Sequence, residues 1–271
     1  MLQTRTSYAP SPNFFNNLLK KFSKTINGDA LNDTYGEALM AYLEEGTKVH
    51  EIERDDGDVN EIDTGWYFSP FSMWRPIEQE LAGYAIGKVI EVGCGSGRVS
   101  TYLEEQGHEV IGIDLSPLAL QAAMIYGASD CRFIDANDMD FPEDYFDTVS
   151  LLGNGLGLTG EIESSRKMLG SLSKMVSNGG VLVATSREPV KTENPLHLAY
   201  HQRNRDRGKP IGQVRLRIIF EGRKGDWFDF LFVEVDKIGE VIDGTGWKLE
   251  KLIQSDDPLE SVYGVVLRNT K

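Results

Sequence analysis

Glu91, Gly93, Gly95 and Gly97 fall within KVIEVGCGSGRVS, and the next two apolar runs each end in an acid, Asp114 and Asp135. Alternating glycines permit a tight bend and remove the Cβ atoms that would hold a ligand off the backbone. A dinucleotide loop reads GxGxxG, whereas GCGSGR brings its third glycine one residue early and has Arg98 where that fingerprint needs glycine. Glu91, just ahead of the first glycine, would repel a pyrophosphate and attract an ammonium group. Asp114 can accept from two ribose hydroxyls, each charge-assisted hydrogen bond contributing roughly 1.5–3 kcal/mol. An acid before a helix also favours the helix dipole. Three consecutive strands ending in acids at one sheet edge nevertheless point to a nucleoside that carries an amino acid.

The elements that must position these residues begin near residue 76. Short apolar runs alternate with helix-length segments: VIEV, VSTYLEEQ, VIGI, LALQAAMIY and CRFI read as βαβαβ. Continuous apolar runs, rather than alternation, mark parallel strands buried on both faces. Ser116 and Pro117 suit a helix start and Gly127 its stop. FDTVSLL, a helix around 161–177, an Asn178-Gly179-Gly180 turn and VLVATS continue the series. QVRLRIIFEG and DWFDFLFVEV then break it as an antiparallel hairpin, inserted into the α/β layer. A short helix near 236–243 and two closing strands, WKLEKLI and VYGVVLRN, complete the chain. Upstream, Phe14, Phe15, Leu18, Leu19, Phe22 and Ile26 keep helical spacing, and Leu39, Met40 and Leu43 suggest a second short helix. The acidic, glycine-containing stretch after them reads as a solvated loop.

EVGCGSG, GIDLSP, FIDANDMDFPEDYFDTV and SNGGVLVATS resemble the ordered motifs of class I S-adenosylmethionine-dependent methyltransferases. The resemblance implies an α/β fold built on a doubly wound, seven-stranded, mostly parallel Rossmann-like sheet. An N-terminal helical cap and lid would occupy residues 1–75. The methyltransferase domain would occupy 76–271, with an insertion at 187–235 forming a substrate-side loop and hairpin. The cofactor it implies is S-adenosylmethionine, leaving as S-adenosylhomocysteine. Glu91, Gly93, Cys94, Gly95 and Gly97 would line its methionine part, with Glu91 facing the ammonium. Asp114 would hold the ribose, Leu115 would pack on the adenine, and Asp135 with Ala136 would read the adenine edge. Leu152, Gly153 and Asn154 would pass near the sulfonium.

Methyl transfer is an in-line displacement that needs alignment and, for some acceptors, a base. GNGLGLTG stands where members acting on amide or base nitrogens have Asn/Asp-Pro-Pro-aromatic, and neither Cys94 nor Cys131 is placed as a nucleophile for nucleobase carbon chemistry. The candidate bases are His197 and His201, with Tyr200, Arg203 and Arg205 as substrate contacts and clamp for a carboxylate or phosphate. His197, Tyr200 and His201 share one face if that segment is helical. The same residues can equally form a solvated basic loop. Tyr67, Trp74 and Arg75 are candidates for an aromatic lid whose rings favour a sulfonium, or for a plain hydrophobic contact between cap and sheet.

The chain's 271 residues allow one substantial core, and 40% hydrophobic with 26% charged residues is ordinary globular composition. No apolar run is long enough for a membrane span. A start without signal-peptide character and two cysteines lead to the expectation of a reducing cytoplasm. The net charge of −14 argues against general nucleic-acid affinity and favours a small-molecule acceptor, with oligomeric state left open. No metal-ligand spacing is present. A non-catalytic cofactor-binding module, and a methyltransferase acting on protein or RNA, remain the alternatives. Charge is also segregated: residues 44–63 carry nine acids, and residues 187–224 carry ten Lys or Arg against four acids.

Overall fold

A computed structural model describes residues 32–46, 48–255, 257 and 260–271. The helical pattern at 13–26 lies outside the described residues. The second predicted helix is α1 (Thr34–Glu45). The acidic stretch is no loop: it folds into β1 (Val49–Arg54) and β2 (Val59–Asp63), an antiparallel hairpin. Next come α2 (Pro76–Ala82), β3 (Lys88–Val92), α3 (Arg98–Glu105), β4 (Glu109–Asp114), α4 (Pro117–Tyr126), β5 (Cys131–Phe133) and β6 (Phe146–Leu151). They are followed by α5 (Ile162–Met175), β7 (Val176–Arg187), α6 (Pro195–Asp206), β8 (Gln213–Phe220), β9 (Arg223–Lys224) and β10 (Phe228–Leu231). A short α7 (Ile238–Ile242) precedes β11 (Trp247–Gln254) and β12 (Val262–Asn269).

Seven strands form the main sheet in the order β11-β12-β7-β6-β3-β4-β5. All neighbours are parallel except β12, which runs antiparallel to both β7 and β11. Its central strands are apolar on both faces, so they fold between helical layers. Ile90, Ile111, Val149 and Leu182 pack toward Met168, Leu169 and Leu172 of α5, while Val89, Val110 and Val183 pack with Ile77, Leu81, Val99 and Leu103 of α2 and α3. Strand order reverses at β3, with β4 on one side and β6 on the other. The crevice at the carboxyl ends of two such strands is where open α/β sheets take ligands.

The predicted hairpin exists, β8 pairing with β10, but it lies outside the α/β layer. It joins the acidic hairpin in a second sheet of order β10-β8-β1-β2, with β9 beside β8. Segments about 160 residues apart in sequence thus share one sheet, and their opposite charges explain the pairing. Glu53 lies opposite Arg217 in the β1–β8 register and accepts its Nε–H at 2.7 Å; Lys224 Nζ reaches the same carboxylate at 3.2 Å. Cross-strand opposite charges contribute roughly 0.2–1 kcal/mol each, so register, more than stability, is their effect. Among the described residues, no helix is long and apolar enough to cross a membrane.

Candidate active site

The glycine loop leaves β3 with Gly93, Gly95 and Gly97 all at left-handed φ, +75°, +52° and +76°. The left-handed φ favours glycine at all three, and close approach to backbone and Cβ adds to this at Gly97. A Cβ on Gly97 would stand 2.7 Å from Ala123 Cβ of α4, and one on Gly95 would stand 2.7 Å from the Tyr35 hydroxyl. Asp114 ties the loop to the end of β4: its carboxylate accepts from Gly95 N at 2.8 Å and Ser116 N at 2.9 Å. Each oxygen keeps a lone pair for another donor. Burial holds its pKa above the ordinary value, against the lowering effect of these N–H groups.

Glu91 is buried beside the loop and accepts a short hydrogen bond from the Ser100 hydroxyl. Burial raises its pKa to about 8, so the carboxyl is mostly protonated at neutral pH. Arg98 lines the cavity but is already paired. Its guanidinium pairs at 2.8 Å with buried Glu78 and lies 4.6 Å from the Trp74 ring centroid. That pairing fixes the start of α3 against α2.

The N-terminal segment is latched to the same edge. Asp33 caps α1 by accepting from Gly36 N, and it also accepts from Ser116 Oγ at 2.8 Å and Leu118 N at 3.1 Å. Ser116 in turn caps α4 through Ala119 N, with Pro117 in the first turn and Gly127 after the last, as its sequence predicts. The latch brings Tyr35 over the glycine loop, edge-on to Tyr67 at 5.5 Å between centroids. Burial raises the Tyr35 pKa well above normal and that of Tyr67 to about 12, so both remain neutral phenols.

A cavity of about 1100 Å³ runs from Glu91, Gly93, Cys94 and Gly95, past Leu152, Gly153 and Asn154, to the inner face of the second sheet. Asn154 holds a left-handed backbone (φ +71°, ψ +24°) and donates its N–H to Thr185 Oγ1 at 2.8 Å, a strained conformation for a residue other than glycine. Ile52, Ile62, Val214 and Leu216 supply apolar lining from the second sheet. Tyr67, Arg75, His197, Tyr200 and His201 also line the cavity. Asp114, Leu115, Asp135 and Ala136 lie off it. Leu115 is 50% exposed beside the β4 end, while Asp135 sits beyond β5 and accepts from Asn137 N at 2.8 Å. Trp74 is buried in the contact between cap and sheet, its Nε1–H donated to Ser69 O, and does not line the cavity.

The segment with the histidines is helical, so His197, Tyr200 and His201 do share a face of α6. Arg203 offers no free clamp. It pairs at 2.7 Å with Asp55, which also accepts from the Tyr200 hydroxyl at 2.7 Å. Arg54 and Arg203 lie 4.4 and 4.1 Å from the Tyr200 ring centroid, and Arg54 itself pairs with Asp56 at 2.8 Å. Arg205 is exposed in the last turn and lies outside the cavity lining. His197 shares a hydrogen bond with Thr192 at 3.0 Å and stands 3.7 Å from Asp58. His201, 7% exposed, has no such partner among the described residues, and burial followed by the Arg205 charge lowers its pKa. It is a neutral imidazole facing the cavity. Among the described residues no group of His, Cys, Asp and Glu is arranged to hold a metal ion.

Residues 89–180 match the methyltransferase-domain family. This match lies on β3 through the start of β7, the glycine loop included. Over 63 residues, 22% of this chain, it is 36% identical to a 2-heptyl-1-hydroxyquinolin-4(1H)-one methyltransferase of Mycobacteroides abscessus, covering 28% of that protein. Over 65 residues it is 38% identical to a ubiquinone biosynthesis O-methyltransferase of Bordetella avium, covering 22% of this chain and 27% of that one. The aligned parts therefore span less than a third of either relative's length. The whole fold is similar to an S-adenosylmethionine-dependent methyltransferase of Bacteroides fragilis solved with S-adenosyl-L-homocysteine, with TM-score 0.74, 22% identity, and coverage of 89% of this chain and 96% of that one. At that identity the likeness is one of methyltransferase fold.

Sequence reasoning missed three contributors to this cavity. Tyr35 reaches the loop from a helix whose spacing suggested only packing, and Arg54 lay in the stretch read as a loop. Arg187 ends β7, where nothing in the strand's own sequence marks it as part of a site.

Proposed function

We propose that this protein is an enzyme that binds S-adenosylmethionine at the glycine loop and transfers its methyl group to a small molecule held under the second sheet. The observation that carries this is the continuity of one cavity from the Glu91 and glycine-loop end to the inner face of the second sheet. Its 1100 Å³ lies at the upper end of the roughly 300–1,000 Å³ of a ligand pocket, which leaves room for an acceptor beside the methionine end of the cofactor. The residues fit the cofactor. Glu91 offers a carboxyl that a cation would ionise, the three left-handed glycines hold a tight turn beside it, and both Asp114 oxygens have lone pairs to spare.

When bound, S-adenosylmethionine supplies an electrophilic methyl group on sulfur. Glu91 would hold the amino group of the methionine part, Asp114 would orient the ribose, and Leu115, Asp135 and Ala136, off the cavity at the ends of β4 and β5, would flank the adenine. Leu152, Gly153 and Asn154 form the passage between the two ligands. Tyr35 and Tyr67 close the loop from above and exclude water. His201, neutral and unpartnered, accepts the proton that the acceptor loses, and His197, tethered to Thr192 and close to Asp58, borders it. The small-molecule acceptor is supported by the apolar lining that the second sheet gives the cavity and by the net charge of −14, which disfavours a phosphate-rich partner. The test is transfer of labelled methyl from S-adenosylmethionine into the components of a cell extract. Label in the low-molecular-weight fraction is expected; label confined to protein or RNA, or none at all, refutes the proposal.

A further inference from the structure

Arg54, Arg217 and Lys224 of the second sheet pair with acids of the acidic hairpin, but the cations at the β7 end of the cavity do not. Arg75, Arg187 and Lys191 all line it. The one described carboxylate interacting with them is Glu260. Arg75 reaches it only at 3.7 Å, and Lys191 Nζ donates instead to the Glu260 backbone carbonyl at 3.2 Å. Glu260 also accepts from Val262 N at 2.9 Å. Arg187 makes no ion pair or side-chain hydrogen bond with any described residue. Glu188 beside it is occupied, its carboxylate accepting from Val235 N at 2.9 Å. Arg187 remains exposed, and partial desolvation, followed by the like charge of Arg75, lowers its pKa from the usual guanidinium value. Two guanidinium groups near one shared carboxylate form an arrangement that a further anion would relieve, and guanidinium binds carboxylate and phosphate through paired N–H donors. Arg75, which lies 4.9 Å from the Trp66 ring centroid, adds an aromatic wall. β7 lies beyond β6 from the glycine loop of β3, so the cluster belongs to the acceptor half of the cavity.

We propose that Arg187 and Arg75, with Lys191 beside them, form an anion subsite, and that the acceptor carries a carboxylate or phosphate on an otherwise apolar body. The inference rests on the methyltransferase function proposed above. The apolar body is required by Ile52, Ile62, Val214, Leu216 and Phe232, which line the same cavity. Arg203 and Arg205, the clamp the sequence suggested, are respectively paired to Asp55 and outside the cavity lining.

The test titrates the full chain with benzoate, phenyl phosphate and neutral benzamide, with and without S-adenosylhomocysteine, following heat. At least one anion is expected to bind tenfold or more tightly than benzamide and to weaken as salt rises. Arg187→Gln should lose at least tenfold in anion affinity and Arg187→Lys should recover part of it, with S-adenosylhomocysteine affinity unchanged in both. Preference for benzoate assigns a carboxylate acceptor, and preference for phenyl phosphate a phosphate one; either sustains the subsite. Equal binding of benzamide and the anions overturns it, as does an Arg187→Gln protein that binds anions normally. So does a parallel loss of S-adenosylhomocysteine, which would give the cluster to the cofactor carboxylate. Failure of the unaltered protein to bind S-adenosylhomocysteine refutes the methyltransferase function instead, whatever the anions do.

Discussion

Replacing Glu91 by Gln should remove the pH dependence of cofactor binding. With its pKa near 8 in the free protein, only about a tenth of molecules carry ionised Glu91 at pH 7, and ionising it there costs about 1.4 kcal/mol. If the ammonium of the ligand requires the carboxylate, affinity for S-adenosylhomocysteine rises about fifty-fold between pH 6 and pH 8, and about 0.9 proton is released per ligand at pH 7. Calorimetry in buffers of different ionisation enthalpy measures both quantities. The same group has a consequence for stability. Its folded pKa is raised from 4.5 to about 8, so the folded state binds more protons within that window. The stabilisation is full below about pH 4.5 and is lost as pH rises through 8, in total about 5 kcal/mol. Glu91→Gln, neutral throughout, should show a flat binding profile from pH 6 to 8 and a smaller fall in Tm from pH 5 to 9. An unchanged binding profile in the variant, or proton uptake on binding by the parent, refutes the assignment of Glu91 to the ammonium.

Asp114→Ala removes an acceptor for Gly95 N as well as for the ribose, so S-adenosylhomocysteine affinity should fall by about 1–3 kcal/mol or more in the same titration; an unchanged Kd contradicts the ribose role. Glu78→Gln leaves the Arg98 guanidinium buried without its counter-charge, and denaturant unfolding should register a loss of about 3–5 kcal/mol. A change below about 1 kcal/mol would mean that Arg98 finds water or another partner. His201→Gln should lower the rate of S-adenosylhomocysteine formation by about 10²–10⁴-fold without altering cofactor affinity. In the parent, the rate should fall as pH drops and the imidazole becomes protonated, at a pH below the usual histidine midpoint because the group is buried. A variant with normal turnover assigns the proton to another acceptor.

The main sheet was legible because each strand's demands are local. VIEV, VIGI and VSLL are apolar on both faces, Ser116-Pro117 and Gly127 bound one helix, and GCGSG admits few turns. The second sheet was not, because its inward face borders a cavity and carries His50, Ile52 and Arg54 in place of an unbroken apolar set. Without that alternation, VHEIERDDGDVNEID reads as acidic surface. Its partner strands lie about 160 residues downstream, and the complementary charge of the two regions was the available signal. For the same reason Arg203 looked free: Asp55, which occupies it, is 148 residues away in sequence. Glu91 and the glycines were found because their chemistry depends on spacing within one βα turn. His201 and Arg187 depend on what does or does not pair with them, which only the folded chain reveals.

The most direct measurement is a calorimetric titration of the purified chain with S-adenosylhomocysteine, alongside NAD. One molecule of S-adenosylhomocysteine bound per chain, weakened by Asp114→Ala and by lowering the pH toward 6, with no heat from NAD, is the predicted result. No binding of S-adenosylhomocysteine, or binding that Asp114→Ala leaves intact, would contradict the assignment of the glycine loop to this cofactor.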